Sequence, residues 1–172
     1  MPCLTHSMGG VANHRIWAPW RLPYVKDTSK DNEAGCIFCI KPAEDDDEKN
    51  LIVHRGDRCF VILNLFPYTN GHLMVAPYAH LATLPELDAE TVAEMMGLAQ
   101  RAMTVLDEKY NPQGYNAGLN QGRVAGAGYD AHIHLHVVPR WAGDTNYMPV
   151  LADTRVMPQS LEDSFKALKG EF

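Results

Sequence analysis

Residues 131–140 read AHIHLHVVPR, in which His132, His134 and His136 alternate with Ile133, Leu135 and Val137. In a strand, successive side chains point to opposite faces, so the three imidazoles share one face and the aliphatics the other. Three chemistries suit that pattern. The histidines can form the polar outer face of an ordinary strand. They can chelate a metal, as three imidazoles do in some zinc hydrolases. Or a central imidazole can attack phosphorus while its neighbours orient it; neutral imidazole near pH 7 is a nucleophile that needs no separate base. A second constellation is Cys36-Ile37-Phe38-Cys39, two thiols at zinc-ligand spacing with histidines downstream. The pair can also be redox-active, although no thioredoxin-like βαβ pattern surrounds it.

The elements that must position these residues follow from local pattern. Leu51–His54 and Arg58–Asn64 have short β-type patterns separated by Arg55-Gly56-Asp57, which predicts a hairpin. Phe66 to Gly71 is a turn, and His72–Ala76 is a third strand ended by Pro77. From Asp88 to Tyr110, Val92, Met95, Met96, Ala99, Met103 and Leu106 fall at helical spacing, with Asp88 as N-cap; the Met-rich stripe reads as core packing. Tyr115–Asn120 and Ala131–Pro139 read as two more strands around a glycine-rich loop. Ser160 with Asp163 caps a short C-terminal helix ending near Gly170. Without βαβ alternation, these elements predict an α+β protein: a five-stranded antiparallel sheet, one long helix and a short C-terminal helix.

Residues 1–15 read as a flexible tail and 16–172 as a single domain, divided into an N-terminal extension (16–50), a core (51–140) and a C-terminal segment (141–172). Within the extension, the aromatic, proline-broken Ile16–Val25 is expected to lie extended across another surface. The run Glu44–Glu48 reads as a solvated loop, and His6, His14 and His54 as surface residues.

Composition narrows the class. Of 172 residues, 46% are hydrophobic and 21% charged, which argues against disordered and fibrous proteins. Fifteen Lys and Arg against 21 Asp and Glu give a charge of −6, which disfavours a general nucleic-acid binder but leaves room for an anionic small molecule. The longest run lacking Asp, Glu, Lys and Arg, Cys59–Pro85, carries Asn64, Asn70, His72 and three prolines, so no membrane span is expected. The start MPCLTHSMGG has no signal-peptide pattern, and four cysteines are too few for a disulfide scaffold; a cytoplasmic protein is expected.

The string His132-Ile-His134-Leu-His136-Val137-Val138 resembles the motif of the histidine triad family, and the resemblance runs from about Cys36 to Arg140. NGHLMVAPYAH matches the family's Gly-His-x-x-Val-x-Pro segment, and GLNQG its Asn-containing strand. GYNAGLNQGRVAGAG and VVPRWAGDTNYM resemble the bacterial and mycobacterial branch, which includes diadenosine tetraphosphate phosphorylases and hydrolases. The resemblance implies hydrolysis or transfer at the α-phosphate of an adenosine polyphosphate, with His134 forming a nucleotidyl-histidine intermediate and His136 donating to a phosphate or leaving-group oxygen. Adenylated-amine hydrolysis and nucleotide binding without turnover are the rival readings. The resemblance also implies His72 as support for the triad, Asn120 near the phosphate, Asn64 at the ribose, and Ile62 and Leu65 beside the base. It implies a structural zinc on Cys36, Cys39, His80 and His132, no organic cofactor, and a homodimer.

One stretch departs from the family. The usual Gln-Ser or Gln-Thr before the triad is replaced by Ala125-Gly-Ala-Gly-Tyr-Asp-Ala131. Backbone N–H groups of Gly126, Ala127 and Gly128 can form an anion-binding nest there. Arg123 can add charge to the phosphate chain, and Trp141 can cover a base or wall the pocket.

Overall fold

The computed structural model describes residues 35–144 and 156–172. The expectations for the 1–15 tail, for Ile16–Val25, for His6 and His14, and for part of the C-terminal segment lie outside those residues. Two short helices open the described chain, α1 (Ile37–Ala43) and α2 (Asp47–Asn50). Strands β1 (Ile52–Arg55), β2 (Cys59–Leu63) and β3 (Leu73–Pro77) follow. Then come the long helix α3 (Ala89–Tyr110), β4 (Gly114–Leu119), β5 (Leu135–Arg140) and α4 (Leu161–Leu168). The five strands form one sheet in the order β1-β2-β3-β5-β4, antiparallel throughout. Among the described residues, no helix is long and apolar enough to cross a membrane.

Helix α3 forms because a 3.6-residue apolar period runs from a good N-cap. The Asp88 carboxylate accepts from the Thr91 N–H at 2.7 Å. Its buried stripe is Thr91, Met95, Leu98, Ala99, Ala102, Val105 and Leu106, packed on Val61, Leu63, Leu73, Val75, Leu135 and Val137 of the sheet. Met96 lies off that stripe and is 53% exposed, so it does not join the core as the spacing predicted. On the other face a smaller cluster gathers Phe38, Ile52, Phe60, Ile62, Met74 and Ala76. That second face carries the histidines.

Two local expectations are corrected. The acidic run is not all loop: Asp46 caps α2 by accepting from the Lys49 N–H at 3.1 Å, and Asp47 pairs with Arg55 at 2.9 Å and Lys169 at 2.6 Å. Strand β5 starts at Leu135, not Ala131, because its ladders to β3 and β4 both end at Leu135. Upstream of it, the Ile133 N–H donates instead to the Leu81 carbonyl at 2.7 Å.

The turn that delivers β3 depends on Gly71, at φ +74°, where a Cβ would lie 2.8 Å from Leu106 Cδ2 and 3.3 Å from the Tyr110 ring. Left-handed strain of about 1–2 kcal/mol then adds to overpacking of about 1–3 kcal/mol. Gly71→Ala is therefore expected to lower Tm by roughly 5–15 °C, read by thermal melting; an unchanged Tm would contradict this packing.

Candidate active site and adjoining metal cluster

The three histidines keep the alternation even where the chain is not laddered. His132 and His134 are buried before β5, and His136 is half-buried on it. Leu135 and Val137 face α3, while the imidazoles meet one another and the aromatic residues of the opposite face. His134 and His136 stand edge to face, their centroids 4.9 Å apart.

Hydrogen bonds set the tautomer of each ring. His134 Nδ1 lies 2.8 Å from the His132 carbonyl oxygen, which only accepts, so the proton is on Nδ1 and the lone pair on Nε2. Burial pulls the His134 pKa below the usual imidazole value, which favours the neutral ring. The Tyr68 N–H donates to His72 Nδ1 at 3.1 Å, so His72 carries its proton on Nε2 and donates to His136 Nδ1 at 3.0 Å. His136 is thereby held with its proton on Nε2. The result is one neutral imidazole presenting a lone pair beside another presenting an N–H. Nucleophilic attack on phosphorus, with donation to a departing oxygen, needs this pair.

On the same face, His132 turns its ring nitrogens from this pair toward Pro77 and the cysteines. Its Nε2 donates to the Pro77 carbonyl at 2.9 Å, leaving Nδ1 as the ligating nitrogen. Nδ1 lies 3.3 Å from Cys36 Sγ, 3.7 Å from Cys39 Sγ and 3.3 Å from His80 Nδ1, and Cys39 Sγ is 3.3 Å from His80 Nδ1. The four donor atoms all lie within 4.8 Å of one another, a cluster that can hold a metal ion. Burial, reinforced by the neighbouring His80 and His134, pushes the His132 pKa down to about 4 despite the opposing Pro77 hydrogen bond, so the ring is neutral and available as a ligand. Desolvation and the Cys36 thiol push Cys39 up to about 11. Cys59, buried in β2 and pushed up by burial to about 12, has no thiolate character to offer.

The remaining residues singled out by sequence divide. His72 is fully buried against His136. Asn64 lies beside it: its amide nitrogen is 3.3 Å from His72 Nδ1, and its oxygen accepts the Phe66 N–H at 3.0 Å. Ile62 is buried in the cluster of the triad face, and Leu65 is 51% exposed at the end of β2. The ladder between β4 and β5 ends at Leu119 opposite Leu135, and Asn120 follows directly on that end of β4.

The glycine loop is not the open nest expected from Gly126, Ala127 and Gly128. The Gly126 N–H donates to Arg123 O at 3.0 Å and the Ala127 N–H to Gly122 O at 3.4 Å, because a one-turn helix over Arg123–Ala125 closes on itself. Arg123 pairs with Asp130 at 2.8 Å. Nor does the structure bring Trp141 to the triad. Its Nε1 donates to the Tyr110 and Asn111 carbonyls, both at 3.3 Å, satisfying orphan groups at the C-terminal end of α3. It lies five residues along the chain from His136, about 17 Å by strand rise. His54 stacks on Phe172 at 5.3 Å rather than standing free on the surface.

Two aromatic residues escaped the sequence reading. Phe38 stacks on His134 with centroids 4.7 Å apart, and Tyr68 packs on His72 at 4.6 Å. Their only signal was position: Phe38 stands between the two cysteines, and Tyr68 lies four residues before His72.

Residues 46–143 match the HIT domain. The chain is 36% identical over 165 residues to a Mycobacterium tuberculosis protein named AP-4-A phosphorylase, covering 92% of this chain and 84% of that protein. It is 31% identical over 81 residues to bis(5'-adenosyl)-triphosphatase of Dictyostelium discoideum, covering 47% of this chain and 54% of that protein. Among solved structures, a zinc-bound histidine triad family protein from Mycobacterium smegmatis superposes with a TM-score of 0.62 at 29% identity, over 80% of this chain and 93% of that one. With its antiparallel sheet and its paired neutral imidazoles, the chain belongs to the histidine triad family.

Proposed function

We propose that this protein cleaves adenosine polyphosphates such as diadenosine tetraphosphate at the α-phosphate and passes the nucleotidyl group to an acceptor through His134. The observation that carries this reading is the His134 ring, neutral, with Nδ1–H on the His132 carbonyl and the lone pair on Nε2. Nε2 attacks the α-phosphorus, a P–N bond forms and the bond to the bridging oxygen breaks. ATP leaves diadenosine tetraphosphate, and AMP remains on His134. His136 Nε2–H donates to the departing oxygen, and His72 holds His136 in that tautomer. Asn120 is assigned to the phosphate, Asn64 to the ribose, and Ile62 and Leu65 to the base. Water attacking the intermediate gives AMP, whereas inorganic phosphate gives ADP.

The four-residue cluster is read as a structural zinc site. A tetrahedral zinc about 2.3 Å from sulfur and 2.0–2.1 Å from nitrogen separates its donors by roughly 3.3–3.8 Å. Four of the six donor pairs stand at 3.3–3.7 Å and all six lie within 4.8 Å, which supports it. When bound, the ion cross-links α1 to the segment carrying the triad; four protein ligands leave no open position for water. We read the protein as a homodimer; among the described residues β1 and β4 are the edge strands of the sheet, and a second copy can cover such an edge. We read the protein as cytoplasmic and residues 16–172 as one domain.

The test is diadenosine tetraphosphate in buffers with and without inorganic phosphate, products resolved by mass. The relative named AP-4-A phosphorylase favours phosphate as acceptor, so ADP plus ATP is expected with phosphate and AMP plus ATP without it. AMP plus ATP at saturating phosphate removes the phosphorylase reading and leaves a hydrolase. No cleavage of this substrate in either buffer overturns the proposal.

A further inference from the structure

We propose that Phe38 is a positioning residue for His134, through which the turn that carries the metal ligands also sets the nucleophile. The inference rests on the reading of His134 as nucleophile. Phe38 stands between Cys36 and Cys39 at the start of α1 and is 1% exposed. Its ring stacks on His134 at 4.7 Å with the planes 27° apart, lies 5.2 Å from His132, and meets Tyr129 edge-on at 5.9 Å.

Among the described residues, the His134 ring makes one hydrogen bond, from Nδ1 to the His132 carbonyl, and one edge contact with His136. A single hydrogen bond restrains an imidazole poorly about χ2, a broad torsion with roughly two-fold preference. An aromatic plane against one face removes most of that freedom and keeps Nε2 on one line of approach. Phe38 lies between Cys36 and Cys39 in the chain and is clustered with Ile52, Phe60, Ile62 and Met74, so its ring is carried by that turn. Loss of that plane should therefore act on the bond-making step.

The experiment compares zinc-loaded wild type with Phe38→Leu, which keeps apolar bulk without a plane, and Phe38→Tyr, which keeps the plane. The assay uses diadenosine tetraphosphate, with zinc content and Tm measured on each sample. Phe38→Leu is expected to lower kcat about ten- to hundredfold with KM within about twofold, and Phe38→Tyr to recover most of that loss. Unchanged kcat in Phe38→Leu, or a raised KM at unchanged kcat, would overturn the proposal. A second readout is independent of turnover. In the NMR spectrum of the wild-type protein, the His134 ring protons should be shifted upfield by the Phe38 ring current, with one tautomer populated. The absence of that shift also overturns the proposal, even if Phe38→Leu fails to fold or to hold zinc. Absence of turnover in wild type, with the shift present, would sink the nucleotidyl-transfer reading and leave the packing intact.

Discussion

His134→Ala is expected to abolish turnover of diadenosine tetraphosphate while leaving the fold and nucleotide binding largely intact. The expectation follows from what the side chain does and does not hold together. Its Nε2 carries the lone pair assigned to attack, and no other imidazole of the triad has that freedom: His132 directs its lone pair at the cysteines, and His136 uses its Nδ1 lone pair to accept the hydrogen bond from His72 Nε2–H. Removing a residue that forms the covalent intermediate commonly costs about 10⁴–10⁶ in kcat. The truncation also opens a gap beside Phe38, so a loss of about 1–3 kcal/mol in stability is expected. Circular dichroism and binding of a slowly reacting nucleotide separate that loss from the catalytic one. Mass spectrometry of wild type mixed briefly with substrate should show a nucleotidyl adduct that His134→Ala lacks. Near-normal turnover in purified His134→Ala would remove the covalent mechanism.

The second large effect is expected from Cys36→Ser combined with Cys39→Ser. Wild type purified without chelator should carry about one zinc per chain, and the double variant none. An ion present at 1,000 times its Kd stabilises the folded state by about 4 kcal/mol, so Tm should fall by roughly 8–16 °C. Faster amide exchange should be confined to α1 and the residues around His132, the two segments that the ion ties together. The fall in turnover should be much smaller than for His134→Ala, because the ligand set leaves no position for reacting water. Wild type with no zinc by elemental analysis would rule out the site.

Much of the scaffold was legible because its causes are local. Helix α3 announces itself by an apolar period and the Asp88 cap, and α4 by Ser160 accepting from the Asp163 N–H. The common face of His132, His134 and His136 follows from alternation in extended chain, and it survives although β5 begins only at Leu135. Pattern alone identified Cys36 and Cys39 as thiols at ligand spacing. It gave no means of choosing their partners, which lie 41 and 96 residues away; that set came from resemblance.

Tertiary structure decided what each imidazole is. The tautomers depend on the carbonyls of His132 and Pro77 and on the N–H of Tyr68, backbone groups that every residue type but proline's missing N–H supplies and no motif therefore marks. The same holds for the loop at Gly126 and Ala127, where composition suggests an anion nest but the chain closes on its own amides, and for Trp141, whose indole N–H was claimed by the end of α3. Phe38 is the clearest case. An aromatic between two cysteines carries no sequence period, and only the packing of α1 against the second face of the sheet turns it onto His134. Residue type and spacing determine which groups are available. Long-range packing determines which lone pair each one is left with.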